Sequence, residues 1–357
     1  MTVSSTTDGR SLIEQWDTLA EETPSIRVRD AAHRLGVSEL ELLYAVAEAA
    51  ENNRGIAVTV LGGDPAAHFS ALSGFGRLMA LTRNDAVVSE TYGHFGEISV
   101  SGKRAMVHHD GIDLRVDFHH WHHAVAVETH RGQRCLRSLQ FFDCDGQAVH
   151  KAYLTDDSMV DLYETYVRTH QVAANAQDLQ VRPADPPVDN RGGSDVDVEE
   201  LRRRWSALTD THQFVALLSQ LKVQRIAALR AVGPEFAQRA QPGAWKDLLE
   251  YVRENGLPVM IFVRSPGCTQ IYSGPVRKLM TSGDYFNVFD PEFHLHMRED
   301  ELAESWVVRK PTAHGTVTSL EVYSPDGTLA LQFFGVREDT KNQSQAWHEC
   351  IEQFVAE

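Results

Sequence analysis

The chain has 357 residues, 42% of them hydrophobic and 8% aromatic, which is enough to build a core in one large domain or two ordinary ones. Asp and Glu number 50 against 34 Lys and Arg, giving a formal net charge of −16. Sequence-independent binding to nucleic acid is therefore disfavoured, because it needs a cationic surface that displaces counterions.

The N-terminal stretch MTVSSTTDGRSLIEQWDTL lacks the apolar core of a signal peptide. No stretch approaches the roughly 20 apolar residues of a membrane helix, so stable membrane insertion is not expected. The four cysteines form no CxxC pair, which leaves neither a zinc knuckle nor a redox dithiol indicated. These features predict a soluble protein of the reducing cytoplasm.

The sequence contains an internal repeat. LIEQWDTL at 12–19 returns as LRRRWSAL at 201–208, and IDLRVDFHHWHHAVAV at 112–127 aligns without a gap with FHLHMREDELAESWVV at 293–308. SLQFFDCDGQAVHKAYL at 138–154 likewise matches SLEVYSPDGTLALQFFG at 319–335, including the Asp-Gly turn. The conserved order of these blocks predicts a tandem duplication.

Each copy begins with helical periodicity and ends in alternating, β-rich segments separated by Gly or Asp-Gly turns. Helices are predicted within 27–53, broken by Gly36, and within 211–232. The prediction is an α+β protein of two similar halves, each with a large antiparallel sheet and flanking helices. We place the halves at 11–171 and 201–355, joined by a Pro-, Gly- and acid-rich linker at 172–200.

The stretch FHHWHH at 118–123 suggests a metal site, because two histidines at i, i+2 on a strand share a face. Neither HExxH nor a distant carboxylate partner accompanies it. The aligned segment of the second copy has no histidine at these positions. The interpretation favoured is a surface cluster, with a native metal site as the alternative.

His212 in LTDTHQFVALL follows Thr209 and Asp210, either of which is a good N-cap for the next helix. In the first turn of a helix the dipole disfavours the imidazolium form, which leaves a neutral ring able to ligate iron or zinc. A histidine that merely packs or caps there remains the alternative.

Cations and aromatic residues gather near strands of the second copy in this otherwise acidic chain. Such a set suits a flat apolar ligand that bears carboxylates and a central metal, which describes haem. Each cation taken alone would be read as a solvated surface group. The residues are Arg309, Lys310, Gln332, Phe333, Phe334 and Arg337.

Several of these blocks in this order resemble the haemin-degrading factor family, the HemS/ChuS/PhuS type of cytoplasmic haem-binding protein. They are RDAAHRLGVSELELL, GIDLRVDFHHW, RSLQFFDCDGQAVHKAYL, LTDTHQFVALL, FHLHMRED, WVVRKPT, SLEVYSPDG and LQFFGVR. The resemblance runs from about Ser11 to Phe354 and implies two similar halves with large antiparallel sheets.

The resemblance implies roles for particular residues. His212 is expected as the axial iron ligand, Lys310 and Arg337 as cations near the haem propionates, and Gln332 and Phe334 as pocket-lining residues. Arg115 is expected on the open, distal side of the haem, where it could act in catalysis by stabilising an anionic oxygen ligand.

One haem per chain is expected, because the alignment places Ile26 opposite His212 and isoleucine cannot ligate iron. Function stays open between oxygen- and reductant-dependent haem degradation with iron release and a non-catalytic chaperone that passes haem to a separate haem oxygenase. The cytoplasmic side of a haem importer is a further possible partner. A zinc or non-haem-iron hydrolase based on FHHWHH is a weaker alternative, and no Rossmann fingerprint or P-loop is present.

Overall fold

The structure, a computed structural model, describes residues 11–23, 26–49, 55–175, 179–182, 196–336 and 343–356. The described residues fall into two compact units. Unit 1 takes its residues from Met1–Thr82, Thr91–Asp185 and Ser265–Thr269, and unit 2 from Arg83–Glu90, Pro186–Arg264 and Gln270–Glu357.

The helices in chain order are α1 Leu12–Glu22, α2 Val28–Leu35, α3 Glu39–Glu48, α4 Pro65–Ala71, α5 Val160–His170, α6 Val198–Ser206, α7 Gln213–Leu221, α8 Arg225–Val232, α9 Ala244–Asn255 and α10 Gln345–Glu352. The strands of the first half of the chain are β1 Ile56–Leu61, β2 Gly76–Arg83, β3 Val87–His94, β4 Ser99–Ser101, β5 Arg104–His109, β6 Ile112–Asp117, β7 His123–Arg131, β8 Arg134–Phe142 and β9 Ala148–Ser158. Those of the second half are β10 Ala237–Arg239, β11 Val259–Ser265, β12 Cys268–Gly274, β13 Leu279–Ser282, β14 Tyr285–Asp290, β15 Phe293–Arg298, β16 Glu304–Thr312, β17 Gly315–Tyr323 and β18 Leu329–Gly335.

In unit 1, five antiparallel strands lie in the order β1-β7-β8-β9-β2. Alternate side chains of these strands face two separate cores. Val125 and Val127 of β7 pack with Trp16 of α1, whereas Leu139 and Phe141 of β8 pack in the other core. The meander β4-β5-β6 adds a smaller set of strands.

Unit 2 repeats this arrangement with the order β10-β16-β17-β18-β11 and the meander β13-β14-β15. Trp306 and Val308 pack with Trp205 in the core formed with α6, α7 and α8. Leu320 and Phe333 face the opposite core, with α9 and α10. The α+β class, the duplication and the antiparallel sheets with flanking helices are confirmed.

The helical segments also follow the repeat, with one local difference. Gly36 ends α2 in the left-handed region, with φ of 70°, and a capping box at Ser38 starts α3. The predicted segment 211–232 is likewise divided into α7 and α8, which sequence reasoning did not foresee. Lys222, a residue without glycine's freedom, makes that break with φ of 54°.

The linker predicted at 172–200 lies partly outside the described residues, and its extent stays a prediction. Among its described residues, the N–H of Val172 donates to the carbonyl of Val60 and that of Arg182 to Cys144. Helix α6 begins at Val198. Among the described residues, none of the helices has both the length and the apolar character needed to cross a membrane.

Candidate functional site

His212 lies at the start of α7, in unit 2, and its side chain is exposed. The helix begins at Gln213, so the expectation of Thr209 or Asp210 as N-cap is wrong by two or three residues. The Asp210 carboxylate instead accepts the N–H of His212 at 2.8 Å, which closes a turn before the helix. The imidazole makes no capping hydrogen bond.

One hydrogen bond holds the turn against the sheet, and a second holds Trp205 of α6 there. The N–H of Ala313, just after β16, donates to the carbonyl of Thr209 at 2.9 Å. The indole of Trp205 donates to the carbonyl of Arg309 at 2.9 Å. Since Phe214 packs on Trp205 with ring centroids 4.4 Å apart, the first turn of α7 is held over β16.

A buried polar network centred on Glu321 of β17 lies beneath α7 and α8. Its Oε2 accepts from Arg225 Nε and from the Tyr323 hydroxyl, both at 2.7 Å. Its Oε1 accepts from Arg225 at 2.5 Å, Lys310 at 2.8 Å and the Gln332 amide at 3.0 Å. Glu321 is fully buried, with 0% of its surface exposed. The carboxylate therefore exchanges its hydration for a complete set of donors.

Cations outnumber carboxylates in this network. Burial raises the pKa of Glu321, but the attraction of Arg225 and Lys310 outweighs it and holds that pKa well below its ordinary value. Burial lowers the pKa of Lys310 to about 8, although Glu321 opposes this. The ammonium of Lys310 and the guanidinium of Arg225 also lie 4.7 and 4.9 Å from the Phe214 ring centroid.

Arg264 adds a third cation to this region of unit 2. Burial and repulsion from Arg225 lower its pKa. Its Nε is buried and has no hydrogen-bond partner among the described residues. Three cations against one carboxylate leave an excess of two positive charges when Lys310 is protonated. This excess suits a ligand that brings negative charge.

The sheet beside the network also carries aromatic side chains. Phe334 of β18 and Phe262 of β11 are half-buried, with ring centroids 4.8 Å apart. Gln332 pairs with Phe262 in the strand register and is 2% exposed. Lys310, Gln332 and Phe334 thus lie in the same sheet of unit 2, while Arg337 lies outside the described residues.

Arg115 lies on β6 in unit 1, with 45% of its side chain exposed. It forms an ion pair with Asp113 and donates to the carbonyl of Leu114 at 3.1 Å. An exposed arginine with a neighbouring acid can turn toward solvent at small cost, because surface ion pairs contribute at most about 1 kcal/mol.

The FHHWHH stretch does not form a continuous strand, so its histidines do not alternate between two faces of a sheet. Phe118–His120 is a 3-10 turn, and β7 begins only at His123. Asp117 stabilises the 3-10 turn. Its carboxylate accepts the backbone N–H of His119 at 3.1 Å and the ring Nδ1–H of the same histidine at 2.7 Å. Trp121 is buried, whereas His119, His120 and His122 are exposed. Among the described residues, no grouping of three metal-ligating side chains includes these histidines.

Sequence reasoning missed Arg225, Glu321, Tyr323 and Arg264. A signal for Glu321 was present, because TSLEVY puts one charged residue between apolar neighbours in a strand that reads as buried. A buried carboxylate requires a cation, and that requirement could have directed attention to Arg225 and Lys310.

The family model described as "Haemin-degrading HemS.ChuX domain" matches this chain twice, at residues 36–170 and 222–354. These two matches cover more than half of the chain. The class that the fold and the two matches define is a duplicated protein, and the chain belongs to this haemin-degrading HemS family.

Relatives match over nearly their whole length. The hemin transport protein HemS of Yersinia enterocolitica is 33% identical over 347 residues, 96% of each chain. The solved structure of holo-PhuS, a heme-binding protein from Pseudomonas aeruginosa, is 40% identical, with a TM-score of 0.87 and coverage of 97% of this chain and 99% of that one. ChuS, an E. coli heme oxygenase, is 27% identical, with a TM-score of 0.85 and coverage of 97% and 100%.

Proposed function

We propose that this protein binds one haem per chain in the cytoplasm, as part of haem uptake and utilisation. His212 is the proposed axial ligand. Lys310, Arg264 and, from the family resemblance, Arg337 would neutralise the propionates, and Gln332 and Phe334 would line the pocket. Support comes from family membership, and from relatives whose names describe hemin transport and heme binding.

The observation that carries this proposal is the charge excess in the sheet against which the first turn of α7 is held, next to the exposed His212 in the chain. A histidine at the start of α7 stands over a sheet with three cations and one carboxylate in a chain of net charge −16. Two propionates would balance the excess, and the half-buried Phe262 and Phe334 would cover porphyrin surface. The buried, unpartnered Nε of Arg264 fits the same interpretation.

For haem fate, we favour a part in degradation and iron release. Haem held by His212 alone would stay open to small ligands on its other side, and the redox chemistry would be that of the haem itself. Arg115 is the proposed residue for stabilising negative charge there. The second candidate is a chaperone that receives haem at an importer and hands it to a separate haem oxygenase; the HemS relative named as a transport protein favours it.

The first experiment is a haem titration of the apo-protein followed at the Soret band. Wild type is expected to saturate at one haem per chain with a histidine-ligated spectrum. His212→Ala should lower affinity by at least about tenfold, roughly 1.4 kcal/mol, and change the spectrum. His314→Ala removes another exposed histidine of unit 2 and should match wild type. Unchanged binding in His212→Ala would move the ligand elsewhere.

A second variant tests the charges. Arg264→Gln removes one cation and leaves less empty volume than alanine would, so haem affinity should fall while the histidine-ligated spectrum persists. A loss of that spectrum would contradict a role limited to charge.

Degradation and chaperoning are separated by turnover with ascorbate in the presence of catalase. Catalase-resistant turnover that yields iron and a defined biliverdin-like product supports degradation, with Arg115→Ala slower than wild type. Loss of haem that catalase abolishes would reject the enzyme and leave the chaperone.

A further inference from the structure

A second cluster of ligating side chains in unit 2 contains Glu90, His294 and His296. The two histidines are two residues apart on β15, so their side chains lie on the same face of the sheet. Glu90 lies in the part of β3 at 87–90, which neighbours β15 in the sheet. One ligating atom from each of the three residues lies within 4.8 Å of the others. Side-chain exposures of 19–27% leave the cluster half-buried.

The hydrogen bonds of Asn287 determine the tautomer of His296. The Asn287 amide nitrogen lies 3.0 Å from each of two carbonyls, those of Met280 and Tyr285, so it is the donor there. Its oxygen must then accept from His296 Nδ1, 2.7 Å away. In the neutral ring, Nε2 therefore holds the lone pair, and it faces the Glu90 carboxylate at 3.9 Å.

We propose that Glu90, His294 and His296 form a binding site for a first-row divalent cation of the zinc class. A lone pair and a carboxylate oxygen that face each other repel unless a proton or a metal cation lies between them. Two imidazoles and one carboxylate are the ligand set of open zinc sites, in which a fourth position remains for water or another ligand. The amide of Asn287 acts as the outer partner that fixes a ligating ring.

The surroundings allow the three side chains to close around an ion. Zinc bonds of 2.0–2.1 Å put two ligands about 3.3 Å apart, so the widest pair in the cluster must move closer by small side-chain rotations. Phe289 packs at 5.3 Å from the centroids of both histidine rings and limits their orientations. His294 also lines an open cleft of about 600 Å³, which gives an ion access from solvent.

The site belongs to one copy only. By the alignment of 112–127 with 293–308, His294 and His296 correspond to Asp113 and Arg115 of unit 1. Asp113 and Arg115 form an ion pair with each other, and neither carries an imidazole. The cluster also contains none of the residues proposed for haem, so the two proposals can fail separately.

The test is a titration of haem-free, chelator-treated protein with Co²⁺, read by its visible absorption, followed by displacement with Zn²⁺. A competing indicator suppresses weak binding by the other histidines. Wild type is expected to bind one equivalent in a four- or five-coordinate spectrum. Glu90→Gln and His294→Ala should each weaken binding by more than about 100-fold, since loss of an outer partner alone costs 10–100-fold. His314→Ala should match wild type.

Equal binding of Co²⁺ by wild type and both variants would overturn the proposal. It would also be overturned if wild type did not bind one equivalent of Co²⁺ tightly. A second measurement uses wild type only, so its result does not depend on whether the variants fold. One equivalent of Zn²⁺ should protect His294 and His296, but not His314, from diethyl pyrocarbonate, as mapped by mass spectrometry. Protection of the 119–123 histidines instead would place the ion elsewhere and reject the site.

Discussion

The two copies use one framework to bury opposite arrangements of charge. In unit 1, Glu39 at the start of α3 pairs with Lys151 of β9 at 2.5 Å. The repeat places Arg225 of α8 where unit 1 has Glu39, and Gln332 where it has Lys151. The helix position has thus changed from acid to base, while the position of Lys151 has become neutral and the acid stands at Glu321.

The copies also differ in the balance between buried positive and negative charges. The pair in unit 1 is neutral, and one Glu39 oxygen is buried without a hydrogen-bond partner. Glu321 in unit 2 has donors on both oxygens, with cations in excess. Gln140 stands at the position of Glu321, and the half-buried Ile26 at that of His212. Among the described residues, the surplus of buried cations and the exposed imidazole on which the proposed haem site rests are found in unit 2.

The largest expected effect comes from removing the central carboxylate. Glu321→Ala leaves Arg225 and Lys310 buried without their partner, which should lower the free energy of unfolding by about 3–5 kcal/mol. Urea unfolding followed by circular dichroism measures this. Glu254→Ala removes a carboxylate that is 65% exposed and should cost less than about 0.5 kcal/mol. A loss below 1 kcal/mol for Glu321→Ala would mean that the network is not stabilising.

Acid should act on the same carboxylate. The folded pKa of Glu321 is held well below its ordinary value of 4.5. Its contribution is therefore complete above pH 4.5 and is lost as the pH falls below it, since the unfolded chain binds the proton first. The stability difference between wild type and Glu321→Gln should shrink on acidification from pH 6 to pH 3. A constant difference would contradict the lowered pKa.

The pair in unit 1 provides the next largest effect. Lys151→Met should cost about 3 kcal/mol, because Glu39 remains buried and unpaired. The double variant Glu39→Leu, Lys151→Met removes both charges and should return to within about 1 kcal/mol of wild type. This recovery, measured by urea unfolding, would show that the pair is replaceable. Additive losses would instead indicate that the pair's packing, and not its charge, is what matters.

The smallest expected effect concerns the helix break. Lys222 adopts the left-handed conformation that Gly36 adopts in the other copy. Such a conformation costs a residue with a side chain about 1–2 kcal/mol, and Gly loses more entropy on folding, so Lys222→Gly should stabilise by at most about 1 kcal/mol. Lys222→Ala, which keeps the steric cost, should not stabilise. An equal gain in both variants would point to the lost charge.

Much of this molecule follows from local pattern. The repeated blocks, Gly36 and the Asp-Gly turns predicted two α+β copies, because periodicity and turn chemistry depend on neighbouring residues. His212 was noticed for the same reason, as a histidine beside a helix start. The break at Lys222 was not foreseen, since nothing in its side chain favours a left-handed backbone.

The sequence by itself determined the duplication, the helical character of 27–53 and 211–232, and the absence of a ligating side chain at Ile26. Only the tertiary structure decided which charges meet: Arg225 and Glu321 are 96 residues apart in the chain, and Glu90 and His294 are 204 apart. Strand pairing and burial join such residues, and burial turns an ordinary glutamate or histidine into one that requires a partner. Those long-range contacts carry the candidate chemistry of this protein.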